Sequence, residues 1–182
     1  VTDFLYKPTL AGELVILRPV DEGDYEVLAA AIADPEVTRL MGSRGELGRK
    51  TREWYRTRKD QTDRIDLAIV DKATGETVGE TALYQWDPDN HSCTFRILIG
   101  PAGQGRGLGT EATRLIVGYG IEEVGLHRIG LGVFAFNPRA QRTYEKAGFV
   151  VEGRLREALY WDGEWVDSIV MSVLAPEWKA NL

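Results

Sequence analysis

The run Gln104-Gly105-Arg106-Gly107-Leu108-Gly109-Thr110-Glu111-Ala112 carries the clearest chemistry in the chain. It stands between Thr94-Phe95-Arg96-Ile97-Leu98-Ile99, which alternates as a strand, and a stretch to Tyr119 in which Ala112, Leu115, Ile116 and Tyr119 recur at helical spacing. A strand-to-helix junction aims several backbone N–H groups, backed by partial positive charge, at one point in solvent. Glycine permits φ > 0 and close approach of a ligand to the backbone, so the pattern suits a loop wrapped around phosphates. Arg106 adds charge to the same place.

Two nucleotide readings fit this loop poorly. A P-loop needs Lys and then Ser or Thr after its last glycine; Gly100 and Gly105 have the spacing, but Arg106-Gly107 follow. Gly107-Leu108-Gly109-Thr110-Glu111-Ala112 matches the dinucleotide pattern, which also needs an acidic residue at the end of the next strand to hold a ribose. That strand, Arg128 to Phe136, contains no Asp or Glu. A third reading rests on resemblance. Gln104-x-x-Gly107-x-Gly109 resembles the pyrophosphate-binding motif of the GCN5-related N-acetyltransferase (GNAT) superfamily. Asn137, Tyr144-Glu145-Lys146-Ala147-Gly148-Phe149, Glu152-Gly153, Arg156, and Asp167 ahead of Met171 resemble the branch of ribosomal-protein alanine and spermidine acetyltransferases. The resemblance runs in outline from Gly12 to Trp178 and is specific from Asn90 to Ser172.

The resemblance implies one N-acetyltransferase domain over residues 1–182 with an α/β (α+β) fold. Its mixed, mostly antiparallel sheet would have about seven strands, splayed between the fourth and fifth, with about four flanking helices. It implies acetyl-CoA as cosubstrate and no metal. The pyrophosphate would lie on Gln104, Gly105, Arg106, Gly107, Leu108, Gly109 and Thr110, and the pantetheine arm would pair with backbone near Ile97, Leu98 and Ile99, as an added strand does. Asn137 would hydrogen-bond the arm, and equally reads as a plain helix N-cap. Tyr144 stands where the family's tyrosine acid stands, to protonate the departing CoA sulfur and so to contact the cofactor as well. Thr94 occupies a position where many relatives resemble one another in having Glu, and a hydroxyl is no base at neutral pH. Glu80, on the adjacent strand, is the nearest candidate base, with His91 behind it; release of the amine proton to water is the alternative. The acceptor would be a primary amine: a protein N-terminus, a polyamine or a small metabolite. A module that binds acyl-CoA without catalysis is the rival that Thr94 favours and Tyr144 opposes.

These groups need elements to position them. Gly12 to Pro19, Ile65 to Val70, Thr77 to Trp86, Cys93 to Ile99 and Arg128 to Phe136 read as strands, and Phe149 to Tyr160 with Trp165 to Leu174 as a hairpin about the Asp162-Gly163 turn. Helices are expected over Asp21 to Ala33, which Asp34-Pro35 ends, over about Arg49 to Asp60, from the glycine loop to Glu123, and over Pro138 to Ala147. The glycines at 42, 45 and 48 read either as a mobile lid over an acceptor site or as a plain connection. With 182 residues, 43% hydrophobic and 27% charged, the composition is that of a soluble globular protein, and with no apolar run of membrane-spanning length it reads as cytoplasmic and without a membrane partner. A net charge of −6 argues against nucleic acid and mildly favours a cationic acceptor. Cys93 alone forms no internal disulfide, and His91 and His127 stand too far apart to suggest a metal site. A homodimer is left open.

Overall fold

The computed structural model describes residues 3–43 and 49–182. Its strands are β1 (Leu10–Ala11), β2 (Val15–Pro19), β3 (Ile65–Asp71), β4 (Thr77–Asp87), β5 (Ser92–Ile99), β6 (Arg128–Phe134), β7 (Val150–Trp161) and β8 (Glu164–Leu174). They form one eight-stranded sheet in the order β1-β2-β3-β4-β5-β6-β8-β7, antiparallel except between β5 and β6. The helices are α1 (Tyr25–Ala33), α2 (Pro35–Met41), α3 (Arg49–Thr57), α4 (Leu108–Glu122), α5 (Pro138–Lys146) and α6 (Ala175–Ala180). This is the mixed, mostly antiparallel sheet with flanking helices expected from the sequence.

Three short elements exceed the expectation, each too brief for periodicity to show. β1 adds an eighth strand through Leu10↔Leu17 and Ala11↔Ile16. α2 begins where Asp34-Pro35 was expected only to stop a helix. The Asp34 carboxylate accepts from the N–H groups of Glu36 and Val37 at 3.0 and 3.1 Å, and Pro35 takes the first helical position, where a missing N–H costs nothing. α6 follows β8 directly. The expected glycine-bearing connection continues past Gly42 and Ser43 into residues 44–48, so Gly45 and Gly48 lie outside the described residues.

The sheet separates two unequal faces. On one, Leu108, Ala112, Ile116 and Val117 of α4 pack with Val15, Leu17, Leu67, Ile69, Phe95, Ile129 and Met171 in the main core. Burying each such side chain contributes about 1.5–3 kcal/mol, so this face holds the strands together. On the other, a smaller cluster of Val20, Leu28, Tyr55 and Ala68 lies beneath α1 and α3. Charged side chains share that second face.

The register of β5 and β6 makes the opening. They pair only through Ser92↔Arg128, Cys93↔Ile129 and Thr94↔Gly130. Beyond that, β5 stays bound to β4 as far as Gly79↔Ile99, and β6 stays bound to β8 as far as Phe134↔Ser168. Each strand follows its outer partner, and the two inner edges separate.

Candidate active site

A cavity of about 590 Å³ fills the gap, lined on one side by Phe95 to Ile99 of β5 and on the other by Leu131 to Phe134 of β6. An extended ligand in this gap faces two strand edges that do not bond one another. Ile97, Leu98 and Ile99 lie on the β5 side of the gap. Gln104, Gly105, Gly107, Leu108, Gly109 and Thr110 close one end of the cavity.

The glycine loop takes the shape its sequence requires. Gly105 and Gly107 have φ of 80° and 79°, where a Cβ would be strained. Gly107 is the N-cap of α4, and without a side chain it caps nothing. The first helical bond closes from the Glu111 N–H to the Gly107 carbonyl at 3.2 Å. Among the described residues no acceptor meets the N–H groups of Leu108, Gly109 or Thr110, so three donors and the positive end of a 15-residue helix face the cavity. Gln104 ties the loop to the strand, donating from Nε2 to the Ile99 carbonyl at 3.2 Å.

The cation at this end is not the one the sequence suggested. Arg106 is absent from the cavity lining; its guanidinium donates to the Asp71 carboxylate at 2.6 Å and to the Ala102 carbonyl at 2.7 Å. Arg139, from the first turn of α5, lines the cavity beside Gly105 and donates to Gln104 Oε1 at 3.4 Å, and Lys146 lines it further along α5.

Asn137 caps α5 and also lines the cavity. Its Oδ1 accepts from the Ala140 N–H at 3.2 Å to cap α5, while the residue lines the cavity with its amide NH₂ unclaimed by any described residue. Tyr144, on the same helix, packs edge-on to Phe95 with ring centres 5.8 Å apart. Its hydroxyl makes no hydrogen bond to a described residue, yet no buried side-chain polar atom among these residues lacks a partner, so the oxygen opens into the cavity. Burial pushes the phenol up to about 12, and it stays a donor at neutral pH.

Glu80 does not line this cavity. It lines a second one of about 450 Å³ together with Trp54, Tyr55, Arg64, Tyr84 and Arg96, and Tyr84 and Arg96 line both cavities. Glu80 is 4% exposed, accepts from the Tyr55 hydroxyl at 2.9 Å and pairs with Arg96 at 3.3 Å. Burial and the Glu80 charge push the Tyr55 phenol far up, which keeps it a donor to that carboxylate. Thr94 donates to Gln85 Oε1 at 2.9 Å, where β4 bulges and Gln85 takes φ of 52°. His91 lies in the turn before β5, its carbonyl accepting from the His127 N–H at 2.7 Å, and lines neither cavity.

Sequence reasoning missed the cluster around Arg96. Arg96 and Asp66 both stand opposite Ala82 in the register, and that small residue leaves the two side chains room to meet at 3.5 Å. Arg58 donates to both Asp66 oxygens at 3.1 and 3.2 Å, and Arg64 to both at 2.6 and 2.8 Å. The available signal was Arg96 alternating in phase with Thr94 and Leu98 inside an otherwise apolar strand.

A sheet opened along its one parallel pair, with a helix N-terminus at one end of the gap and a protonated phenol within it, is the architecture of an acyl-CoA-dependent transferase. The comparisons agree: the family model described as "Acetyltransferase (GNAT) domain" matches residues 15–150, and the chain belongs to that family. It is 32% identical over 124 residues to the probable N-acetyltransferase YjcK of Bacillus subtilis, covering 68% of each chain. It is 31% identical over 119 residues to the spermidine N(1)-acetyltransferase of Escherichia coli strain K12, covering 65% of this chain and 64% of the relative. Among solved structures, a GCN5-related N-acetyltransferase from Brucella melitensis superposes with a TM-score of 0.79 at 27% identity, covering 96% of this chain and 82% of that one. The family's general chemistry, acetyl transfer from acetyl-CoA to an amine, applies to the chain as a class. Among the described residues no cluster of His, Cys, Asp or Glu could hold a metal, and no helix is long and apolar enough to cross a membrane.

Proposed function

We propose that the protein transfers acetyl from acetyl-CoA to a primary amine by direct attack. The observation that carries this reading is the convergence, in one cavity, of two unpaired strand edges, three free helix N–H groups and the Tyr144 hydroxyl. The pyrophosphate lies on the N–H groups of the loop and α4 with Arg139 beside it, and the arm pairs with β5 near Ile97 to Ile99 while Asn137 donates to it. The amine nitrogen bonds to the thioester carbon, the C–S bond breaks, the nitrogen loses a proton and the sulfur gains one. Tyr144 donates to the departing sulfur. Of the described residues lining either cavity, Glu80 is the one carboxylate, and it is the base of this reading for the amine proton.

No enzyme nucleophile is called for: burial pushes the Cys93 thiol up to about 12, leaving it inert. The test is a thermal-shift titration with acetyl-CoA, CoA, NADH and ATP separately, followed by mass analysis of a mixed amine panel. A ligand at 100 times its Kd adds about 2.7 kcal/mol of stability. Shifts with acetyl-CoA and CoA alone, with an acetylated amine, support the reading; a shift with NADH or ATP instead, or with none of them, refutes it.

A further inference from the structure

Three guanidiniums, of Arg58, Arg64 and Arg96, face two carboxylates, of Asp66 and Glu80, at the back of the second cavity. The cluster therefore carries net positive charge, since arginine keeps its proton in proteins. The partners are also unequally satisfied. Asp66 is taken up by the hydrogen bonds from Arg58 and Arg64, while the Arg96 guanidinium makes ion pairs at 3.3 and 3.5 Å, lies 5.7 Å from the centre of the Trp54 ring and donates no hydrogen bond to a described residue. A planar fork of five donors is thus left partly unused on a side chain that lines both cavities.

We infer that the acceptor is a small primary amine that also carries a carboxylate, and that Arg96, which lines both cavities, binds this carboxylate. The inference rests on the acetyl-transfer reading and names its substrate class. Held there, the acceptor places its amine toward the β5–β6 gap, where the thioester would lie, and its body against Trp54 and Tyr84. The fork of Arg96 fits a carboxylate with two parallel hydrogen bonds. A polyamine would bring further positive charge to a cluster that already has an excess. The bonds made and broken are those of the transfer already described.

The experiment gives the full chain acetyl-CoA with three acceptor samples in parallel: pooled free amino acids, the matching pool of amino-acid carboxamides, and spermidine. Product is read by mass and initial rate by thiol release. The carboxamides also stand for a protein N-terminus, whose first residue ends in an amide. An amide loses its ammonium proton more readily than the acid, so intrinsic reactivity favours the amide. The expected result is the reverse, with at least about tenfold higher kcat/KM for one or more free amino acids than for their carboxamides, and this preference lost in Arg96→Gln. The wild-type comparison decides even if the variant fails to fold. Equal or faster acetylation of carboxamides, or spermidine as the best acceptor, overturns the inference and leaves acetyl transfer standing, as does a preference that survives in folded Arg96→Gln. The absence of both a thermal shift with acetyl-CoA and any acetylated amine overturns the functional reading and this inference with it.

Discussion

Replacing Tyr144 by Phe removes one oxygen from a ring that stays packed against Phe95 and Phe149, with centres 5.8 and 6.1 Å away. Because the hydroxyl opens into the cavity, its loss leaves no buried partner unsatisfied. The stability change should stay below about 1 kcal/mol, a shift in Tm of no more than about 4 °C for a chain of this size. Tyr144→Ala would instead empty a core position at a cost of about 3–5 kcal/mol, so Phe is the informative change. Turnover should fall by about 10²–10³, the usual cost of removing one preorganised hydrogen-bond donor aimed at developing charge. The burial that holds the phenol at about 12 also constrains what it does. Against an ordinary thiol near 8.5, complete proton transfer is uphill by roughly 3.5 pK units, or about 5 kcal/mol. Tyr144 therefore acts by hydrogen-bonding the growing thiolate charge as the C–S bond breaks, keeping its own proton, and the released thiolate takes its proton from solvent. Two features follow for steady-state kinetics followed by thiol release. The defect lies in kcat, with KM for acetyl-CoA within about threefold of wild type, and it is the same from about pH 6 to 9, where the phenol does not titrate. Unchanged kcat across that range, or an effect confined to KM, would falsify the assignment.

Asn137→Asp separates the two uses of that side chain: aspartate caps a helix as well as asparagine does, so Tm should hold, whereas the lost NH₂ should raise KM for acetyl-CoA by roughly 3–10-fold. Equal affinity in the variant would remove Asn137 from the arm's contacts. Gly12→Ala would set a Cβ 2.4 Å from Glu111 Oε2, the oxygen that accepts from the N–H groups of Leu14 and Val15 at 2.8 Å. Moving the carboxylate away should cost about 1–3 kcal/mol, and a denaturation midpoint equal to wild type would show that the anchor is slack. Glu152 is held at about 2, below its ordinary 4.5, first by its hydrogen bonds from Arg128 and then by Ser172. A depressed carboxylate stabilises the fold above its unfolded pKa and loses that contribution as pH falls through the folded one. Wild type should lose this contribution between pH 4.5 and about 2, and Glu152→Gln should show a flatter stability profile there; parallel profiles would refute the coupling.

The lining of the β5–β6 gap was legible because its parts are neighbours in sequence. The glycines that need positive φ, the helix they start and the alternating strand before them lie within one short stretch, and Asn137 caps the helix that carries Tyr144. The charged cluster around Arg96 was not. Arg58, Arg64, Asp66, Glu80 and Arg96 reach one spot from three strands and the turn after α3, and a charge on a strand whose two faces are both covered gives no hint of which cover it meets. Arg106 shows the converse error: adjacency to the loop suggested an anion ligand, whereas Asp71, 35 residues away, holds its guanidinium.

The two faces of the sheet also differ in what they contribute. Apolar packing beneath α4 runs across the strands, whereas the opposite face combines a smaller apolar cluster with buried charges. Burying Arg58 and Asp66, 4% and 2% exposed at their side chains, carries a desolvation penalty that their pairing at 3.1 Å offsets only in part. A well-packed apolar pair would be at least as stable there. What the charges provide, and apolar residues could not, is a fixed position for Arg96 at the mouth of the β5–β6 gap with part of its donor capacity unspent. The energetic cost is therefore better explained by an anionic group on the incoming acceptor than by any contribution to the fold.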